Sequence, residues 1–419
     1  MASESVTLLN DKRIVLGVTG SIAVYKAVDL ASKLTRAGAL VDVVMTASAK
    51  RFVTPLTFQS VTGRPVYDDM WASGSSELPT HIAHVGLGEG SDLFVIAPAT
   101  ANTLAKLAAG AADDLLTVTA LAARCPVLIA PAMDGGMYGH PATQRNLRDL
   151  QAQGIFLIEP EEGRFASGLV GKGRLPETAT LLGMIRWTLS RNGPLTGRKV
   201  VVTAGGTREA IDPVRYITNR SSGKQGYAVA QAAVDAGADV VLVTTTVGLP
   251  APIGATLVPV ASAGGMLDSV QTHIANADVL IMAAAVADFR PAEIATQKIQ
   301  KSLTSDDVPT IELSRTADIL LAIKEQREGS GWPRVTVGFA AESHDLLDNA
   351  RSKLDRKGLD LIVANDIMST DAGFETDTNR VLLLDRSGDQ QEIELASKVR
   401  IAEAVVGRAV ELLSNSGPR

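Results

Sequence analysis

At 419 residues, with 46% hydrophobic and 21% charged side chains, the chain has an ordinary α/β composition and enough length for two domains with full cores. A net charge of −6 and only 4% aromatics argue against a general polyanion binder, so any phosphate site must be a local pocket of cations. The single cysteine, Cys125, rules out an intrachain disulfide framework and fits a reducing cytoplasm; MASESVTLLNDKR carries no legible export signal, and no apolar run reaches the ~20 residues a bilayer requires.

In chain order, residues 14–18 read as a buried strand, followed by TGSIAVYKAVDLASKLTRAG as a turn and a helix. Strands are expected at 41–45, 93–97, 127–130 and 155–158, with a helix at 101–109, a doubly wound parallel pattern. Residues 190–194, SRNGP, are polar and turn-forming. They place the boundary between a first domain, 1–190, and a second, 191–419. The second half repeats the grammar with strands at 200–202, 240–243, 279–283, 335–339 and 361–363. Segment 286–312 is less periodic and lysine-bearing, and reads as a loop or flap over the second site.

Two kinds of loop carry chemistry. After the first strand, Gly20 and Ser21 lead into a helix whose free N–H groups and dipole can hold a phosphate, and APATANT offers Thr100 and Asn102 in the same way. In VVVTAGGTREAIDPVRYITNRSSGKQGYA, two glycine-bearing loops lie close to Arg208, Arg215, Arg220 and Lys224, a set suited to a phosphorylated ligand. A dinucleotide-dependent oxidoreductase is the generic rival, but a full GxGxxG with a following acidic ribose binder is absent.

VTGSIAVYKA, APATANTLAKLAAGAADDLL, APAMDGGMYGHPAT, the TAGG string, AAAVADFRP, QKIQK, VGFAAES and LDLIVANDI occur in that order along the chain. Together they resemble the bacterial bifunctional coenzyme A biosynthesis proteins. These join an N-terminal phosphopantothenoylcysteine decarboxylase to a C-terminal phosphopantothenate–cysteine ligase. The resemblance implies two Rossmann-like α/β domains, the first a flavodoxin-like flavoprotein. It implies FMN held by Gly20, Ser21, Thr46, Ser48, Thr100, Asn102 and Met133, with His84 as the base; His81 is the nearby competitor.

For the ligase, the resemblance implies CTP and Mg²⁺ as reactants with 4′-phosphopantothenate and cysteine, and an acyl-cytidylate on the path. Lys298 aligns with the family's catalytic lysine, Lys301 follows it, and Arg215 and Asn219 align with residues holding phosphopantothenate and the acyl-cytidylate. Gly205, Gly206, Ala283, Ala284, Asp288, Asp318, Ile319, Phe339, Lys353 and Lys357 align with the nucleotide site, and no metal ligands are assigned. A cytoplasmic homo-oligomer is implied, a dodecamer built from trimers and dimers, with no nucleic acid or membrane partner.

Two positions depart from the family pattern. Asp134 replaces the asparagine of PAMN, where an ionised carboxylate would repel the substrate carboxylate. Ser167 stands where a cysteine commonly donates a proton, and serine is a far poorer acid than a thiol. Cys125, at the entry to a strand, does not take over that role. The alternative is an active ligase whose flavin domain serves mainly for assembly.

Overall fold

A computed structural model describes residues 6–71, 78, 80–164, 168–300, 310–342, 346–366 and 378–415. The chain divides into two compact units, Met1–Ser190 and Arg191–Arg419.

The first unit runs β1 (Arg13–Val18), α1 (Val24–Arg36), β2 (Leu40–Met45), α2 (Pro55–Thr62), β3 (Val66–Tyr67), α3 (Ala83–Glu89), β4 (Leu93–Ala99), α4 (Ala101–Ala108), α5 (Leu115–Ala122) and β5 (Val127–Pro131). It continues with α6 (Gly135–Gly139), α7 (Pro141–Ala152), β6 (Phe156–Leu157), the hairpin β7 (Glu161–Arg164) and β8 (Val170–Arg174), and α8 (Thr178–Ser190). Among the described residues six parallel strands form one sheet in the order β3-β2-β1-β4-β5-β6, so the winding reverses between β1 and β4. Both faces are covered: Ile14, Leu16 and Val18 of β1 enter one core cluster while Val15 enters the other. That is why the strand reads as an uninterrupted apolar run rather than an alternating one.

The second unit comprises β9 (Lys199–Ala204), β10 (Arg208–Ala210), β11 (Tyr216–Thr218), α9 (Lys224–Asp235), β12 (Asp239–Thr244), β13 (Ala255–Pro259), α10 (Ala263–Ile274) and β14 (Val279–Met282). It then has β15 (Phe289–Pro291), β16 (Leu313–Arg315), α11 (Ile319–Ser330), β17 (Val335–Glu342), α12 (Leu346–Lys357), β18 (Leu361–Asp366), β19 (Thr378–Asp385), β20 (Gln390–Ser397) and α13 (Lys398–Asn415). Among the described residues its sheet has eight strands in the order β13-β12-β9-β14-β17-β18-β19-β20, the last two antiparallel. The reversal falls between β9 and β14. Segment 286–312, expected to be irregular, contains one short strand, β15, that pairs with β16 just beyond its end; 301–309 lie outside the described residues.

The N-terminal ends of both sheets share one device. Asp92 precedes β4; its Oδ2 accepts the amide of Arg13 at 2.9 Å, and Lys12 Nζ lies 2.8 Å from Oδ1. Asp278 precedes β14 and accepts the Lys199 amide at 3.0 Å, with Arg198 Nη1 also at 3.0 Å. Asp360 precedes β18 and accepts the Thr336 amide at 2.7 Å, paired with Arg327 at 2.7 Å. Each carboxylate satisfies an N–H near the start of the neighbouring strand, and a basic side chain offsets the charge. Asp278→Ala leaves the Lys199 amide without its acceptor. It is expected to cost the second unit about 1–3 kcal/mol, read as a lower urea midpoint at an unchanged denaturant slope.

Candidate functional site

A cleft of about 980 Å³ opens in the second unit, where the strand order reverses. Its floor is the loop 283–288, AAAVAD, that follows β14. Every peptide of that loop is tied down. The Thr203 hydroxyl, fully buried at the end of β9, accepts the amide of Ala284 at 3.1 Å. The Ala285 amide donates to Gly205 O at 2.9 Å, and the equally buried Thr207 hydroxyl accepts the Ala287 amide at 2.9 Å. On the far side, Thr316 donates its hydroxyl to Ala287 O at 2.6 Å, and Asn219 Nδ2 donates to Val286 O at 3.0 Å. Such a loop offers a rigid backbone edge to a ligand, because its own groups have no slack to rearrange.

The walls are positive. Among the described lining residues, Arg220, Arg315, Lys353, Arg356, Lys357 and Lys398 face two carboxylates, Asp288 and Asp318. In a chain of net charge −6 this is a concentrated cationic pocket, the expected signature of an anionic ligand. Asp318 caps α11, accepting the Leu321 amide at 3.3 Å, and its carboxylate lies 3.3 Å from Lys357 Nζ. The side-chain oxygens of Gln225 and Asn365, both lining residues, are buried and have no hydrogen-bond partner among the described residues.

In the first unit, the loops after β1, β2 and β4 meet in the same way. The buried Thr19 hydroxyl donates to Pro98 O at 2.7 Å and accepts the Thr100 amide at 3.1 Å, joining the end of β1 to the end of β4. Gly20 lies against Ser48: a Cβ on Gly20 would stand 2.5 Å from Ser48 Cβ, so only glycine lets these two loops close. The Ser21 hydroxyl accepts the Ala23 amide at 3.3 Å, and the Thr46 hydroxyl accepts the Ala49 amide at 3.2 Å. Thr100 caps α4, whose exposed Asn102 stands in the first turn. His84 is half-buried in the first turn of α3 and has no hydrogen-bond partner among the described residues, whereas His81 is exposed. The Met133 amide donates to Gly173 O at 2.9 Å on β8, and Asp134 caps α6 through the Gly136 amide at 3.0 Å.

Residues 195–413 match the family model described as DNA/pantothenate metabolism flavoprotein C-terminal domain, and residues 2–190 match the flavoprotein family model. The chain is 46% identical over 415 residues to the coenzyme A biosynthesis bifunctional protein CoaBC of Bacillus subtilis (strain 168), covering 98% of this chain and 100% of that one. The chain belongs to the bifunctional coenzyme A biosynthesis family. It is also 47% identical over 414 residues to the CoaBC protein of Mycobacterium tuberculosis (strain H37Rv), covering 96% of this chain and 97% of that one. A solved C-terminal domain of a CoaBC protein is 37% identical, with a TM-score of 0.45 over 54% of this chain and 100% of that one.

Within this member of the family, Asn219, Ala283, Ala284, Asp288, Asp318, Ile319, Phe339, Lys353 and Lys357 all line the cleft. Gly205 and Gly206 do not. Both are buried in the turn beneath it; Gly205 has φ 88°, and a Cβ on Gly206 would meet Asn219 O at 2.5 Å, so they shape the wall from behind. Lys298 is exposed outside the lining, and Arg215 is engaged by Asp212 and by the carbonyl of Ile299, at 2.7 Å from Nη2. Of the other cations in the glycine-rich string, Arg208 stacks over the Tyr216 ring at 5.3 Å. Ser167 and Lys301 lie outside the described residues. Burial pushes the Cys125 thiol up, and its sulfur lies 3.3 Å from Ser91 Oγ, consistent with a packing role.

The sequence reading missed Gln225, Thr316, Arg356, Asn365, Asn379 and Lys398. Four of these lie at the far ends of β18, α12, β19 and α13, where only the sheet order reveals a shared wall. Thr207→Val keeps the shape of that side chain and removes the acceptor for Ala287. Losing that one bond is expected to speed amide exchange at residues 284–288 roughly 10- to 100-fold, measured by hydrogen exchange with mass spectrometry.

Proposed function

We propose that this bifunctional coenzyme A biosynthesis enzyme first joins 4′-phosphopantothenate to cysteine in its second unit and then decarboxylates the product in its first. The cationic cleft over a rigid backbone loop carries the ligase reading. A substrate carboxylate attacks the α-phosphorus of CTP, pyrophosphate leaves, and an acyl-cytidylate forms. The cysteine amine then attacks the acyl carbon and displaces CMP. Bringing a carboxylate to a triphosphate sets like charges against each other, and Lys353, Arg356 and Lys357 lower that repulsion. The Ala283–Ala284 backbone and the Asp288 carboxylate meet the nucleoside, and Phe339 packs against it. The Asn219 amide, steadied by its bond to Val286, supplies hydrogen bonds to the acyl phosphate without adding charge. Lys298 reaches the triphosphate from its own loop. Mg²⁺ carried by the nucleotide would offset the triphosphate charge; among the described residues no trio of His, Cys, Asp or Glu is grouped to hold a metal.

In the first unit, the Gly20–Ser48 contact and the hydroxyls of Ser21, Thr46 and Thr100 make a close-walled cradle that fits the phosphate and ribityl chain of FMN. When bound, FMN accepts and returns the hydride of the decarboxylation. Asn102 and Met133 border the ring, and His84, with no competing partner among the described residues, takes up or returns the substrate proton. Asp134 and Ser167 stand in the positions that bind the carboxylate and protonate the product in relatives. Their chemistry favours a second reading, in which decarboxylation is weak and this unit mainly assembles the enzyme. Exposed apolar side chains, Ile22, Tyr25, Leu56 and Trp71 in the first unit and Phe289 and Ile294 in the second, are candidate subunit contacts for the homo-oligomer of trimers and dimers that the family resemblance implies.

The test is product analysis with phosphopantothenate, cysteine and CTP: 4′-phosphopantetheine supports the full reading, and accumulated phosphopantothenoylcysteine supports assembly. Lys298→Gln is expected to lower ligation by about 100-fold or more while the flavin absorbance is retained. His84→Asn is expected to lower decarboxylation by about 10²–10⁴-fold and to leave CTP-dependent ligation intact; loss of both would join the two sites.

A further inference from the structure

Asp212 is a buried carboxylate that no step above uses; it holds its own turn and, through one oxygen, reaches a distant segment. Oδ1 accepts the amides of Val214 and Arg215, each at 2.8 Å. Oδ2 accepts Arg215 Nε at 2.9 Å, the Arg215 Nη2 group, and the amide of Ile299 at 3.2 Å, 87 positions along the chain. Arg215 Nη2 also donates to the Ile299 carbonyl at 2.7 Å. Ile299 is therefore gripped at both ends, its N–H by the carboxylate and its C=O by the guanidinium. Four residues earlier, the Ala295 amide donates to Ile211 O at 3.0 Å. Lys298 sits between the two tethers.

The burial pattern fits a support rather than a reactant. The Asp212 side chain is fully buried, whereas Lys298 is exposed and Ile299 only half-covered. A carboxylate needed only for its own turn would use Oδ1; here Oδ2 is committed to the lysine segment and to the arginine that completes the grip. The Arg215 guanidinium, followed by the backbone amides of Val214, Arg215 and Ile299, holds the Asp212 carboxyl well below the usual carboxylate range. The grip therefore stays charged at neutral pH and weakens only as the pH falls through that depressed value.

We propose that Asp212 is the positioning residue for Lys298: through Arg215 and the Ile299 peptide it fixes the backbone from which the lysine reaches the triphosphate. This rests on the reading of Lys298 as the ligase lysine. An asparagine at 212 keeps the size and one carbonyl oxygen, but its amide nitrogen cannot accept from Ile299 or Arg215.

The experiment uses the full-length enzyme and measures CTP-dependent formation of phosphopantothenoylcysteine. Asp212→Asn is expected to lower kcat about 30- to 300-fold with KM for CTP within about threefold, and by the same factor from about pH 6 to 9. Asp212→Glu, which restores the charge at altered reach, is expected to recover part of the loss. Ile299→Pro removes the gripped N–H without touching the carboxylate and is expected to reproduce the kcat defect; it carries the test if the Asp212 variants fail to fold. In a Lys298→Gln background, Asp212→Asn is expected to add nothing further. A folded Asp212→Asn with wild-type kcat, or a full additional loss in the Lys298→Gln background, would overturn the positioning role alone. Full ligation by Lys298→Gln would overturn the site reading and the proposal together.

Discussion

One buried hydroxyl at a strand end sets the geometry of each unit. Thr19 closes β1 and holds the loop after β4; Thr203 closes β9 and holds the loop after β14. These pairs occupy equivalent places, either side of the point where the winding reverses. There the two crossovers leave in opposite directions and a crevice opens, so the backbone at its floor loses the ladder partners that strands provide. A threonine supplies a donor and an acceptor from one small side chain, and it satisfies that backbone without filling the crevice. The rigidity of both floors, and hence the placing of any ligand on them, follows from it.

The opposite edge of each sheet solves the same accounting problem with charge. Asp92, Asp278 and Asp360 each accept a neighbouring strand's amide and each carries a basic partner. At the strand ends that meet the crevices the hydroxyls of Thr19 and Thr203 serve, and at the far ends carboxylates do, although Asp288 and Asp318 also line the cleft. A fixed negative charge would oppose an anionic ligand at the first and does no harm at the second. The cationic residues are thus free to dominate the cleft, although the whole chain is acidic.

Much of this was legible in the chain. The apolar runs at β1, β4, β9 and β14 announced two parallel sheets, and the small-residue loops announced where their crevices lie. The edge strands β3, β13 and β20 were not read, because they bury too little apolar surface to leave a run, and β19 was passed over although it carries the apolar run VLLL at 381–384. The recurring Asp before a strand, in SDLFVIA, ADVLIMA and LDLIVAN, is visible in the sequence but has no local reason to be there; its partner is a strand elsewhere.

Sequence alone determined the alternation of strand and helix, the two-part layout and the presence of cation-bearing glycine loops, since periodicity and turn chemistry act within a few residues of one another. Only the tertiary structure decided which cations share a wall. It turned Arg215 toward Asp212 and Ile299, buried Gly205 and Gly206 behind the cleft, and brought Asn365, Asn379 and Lys398 to its rim. Those outcomes depend on strand order and on partners tens of residues away, and no local pattern encodes the distance across a sheet.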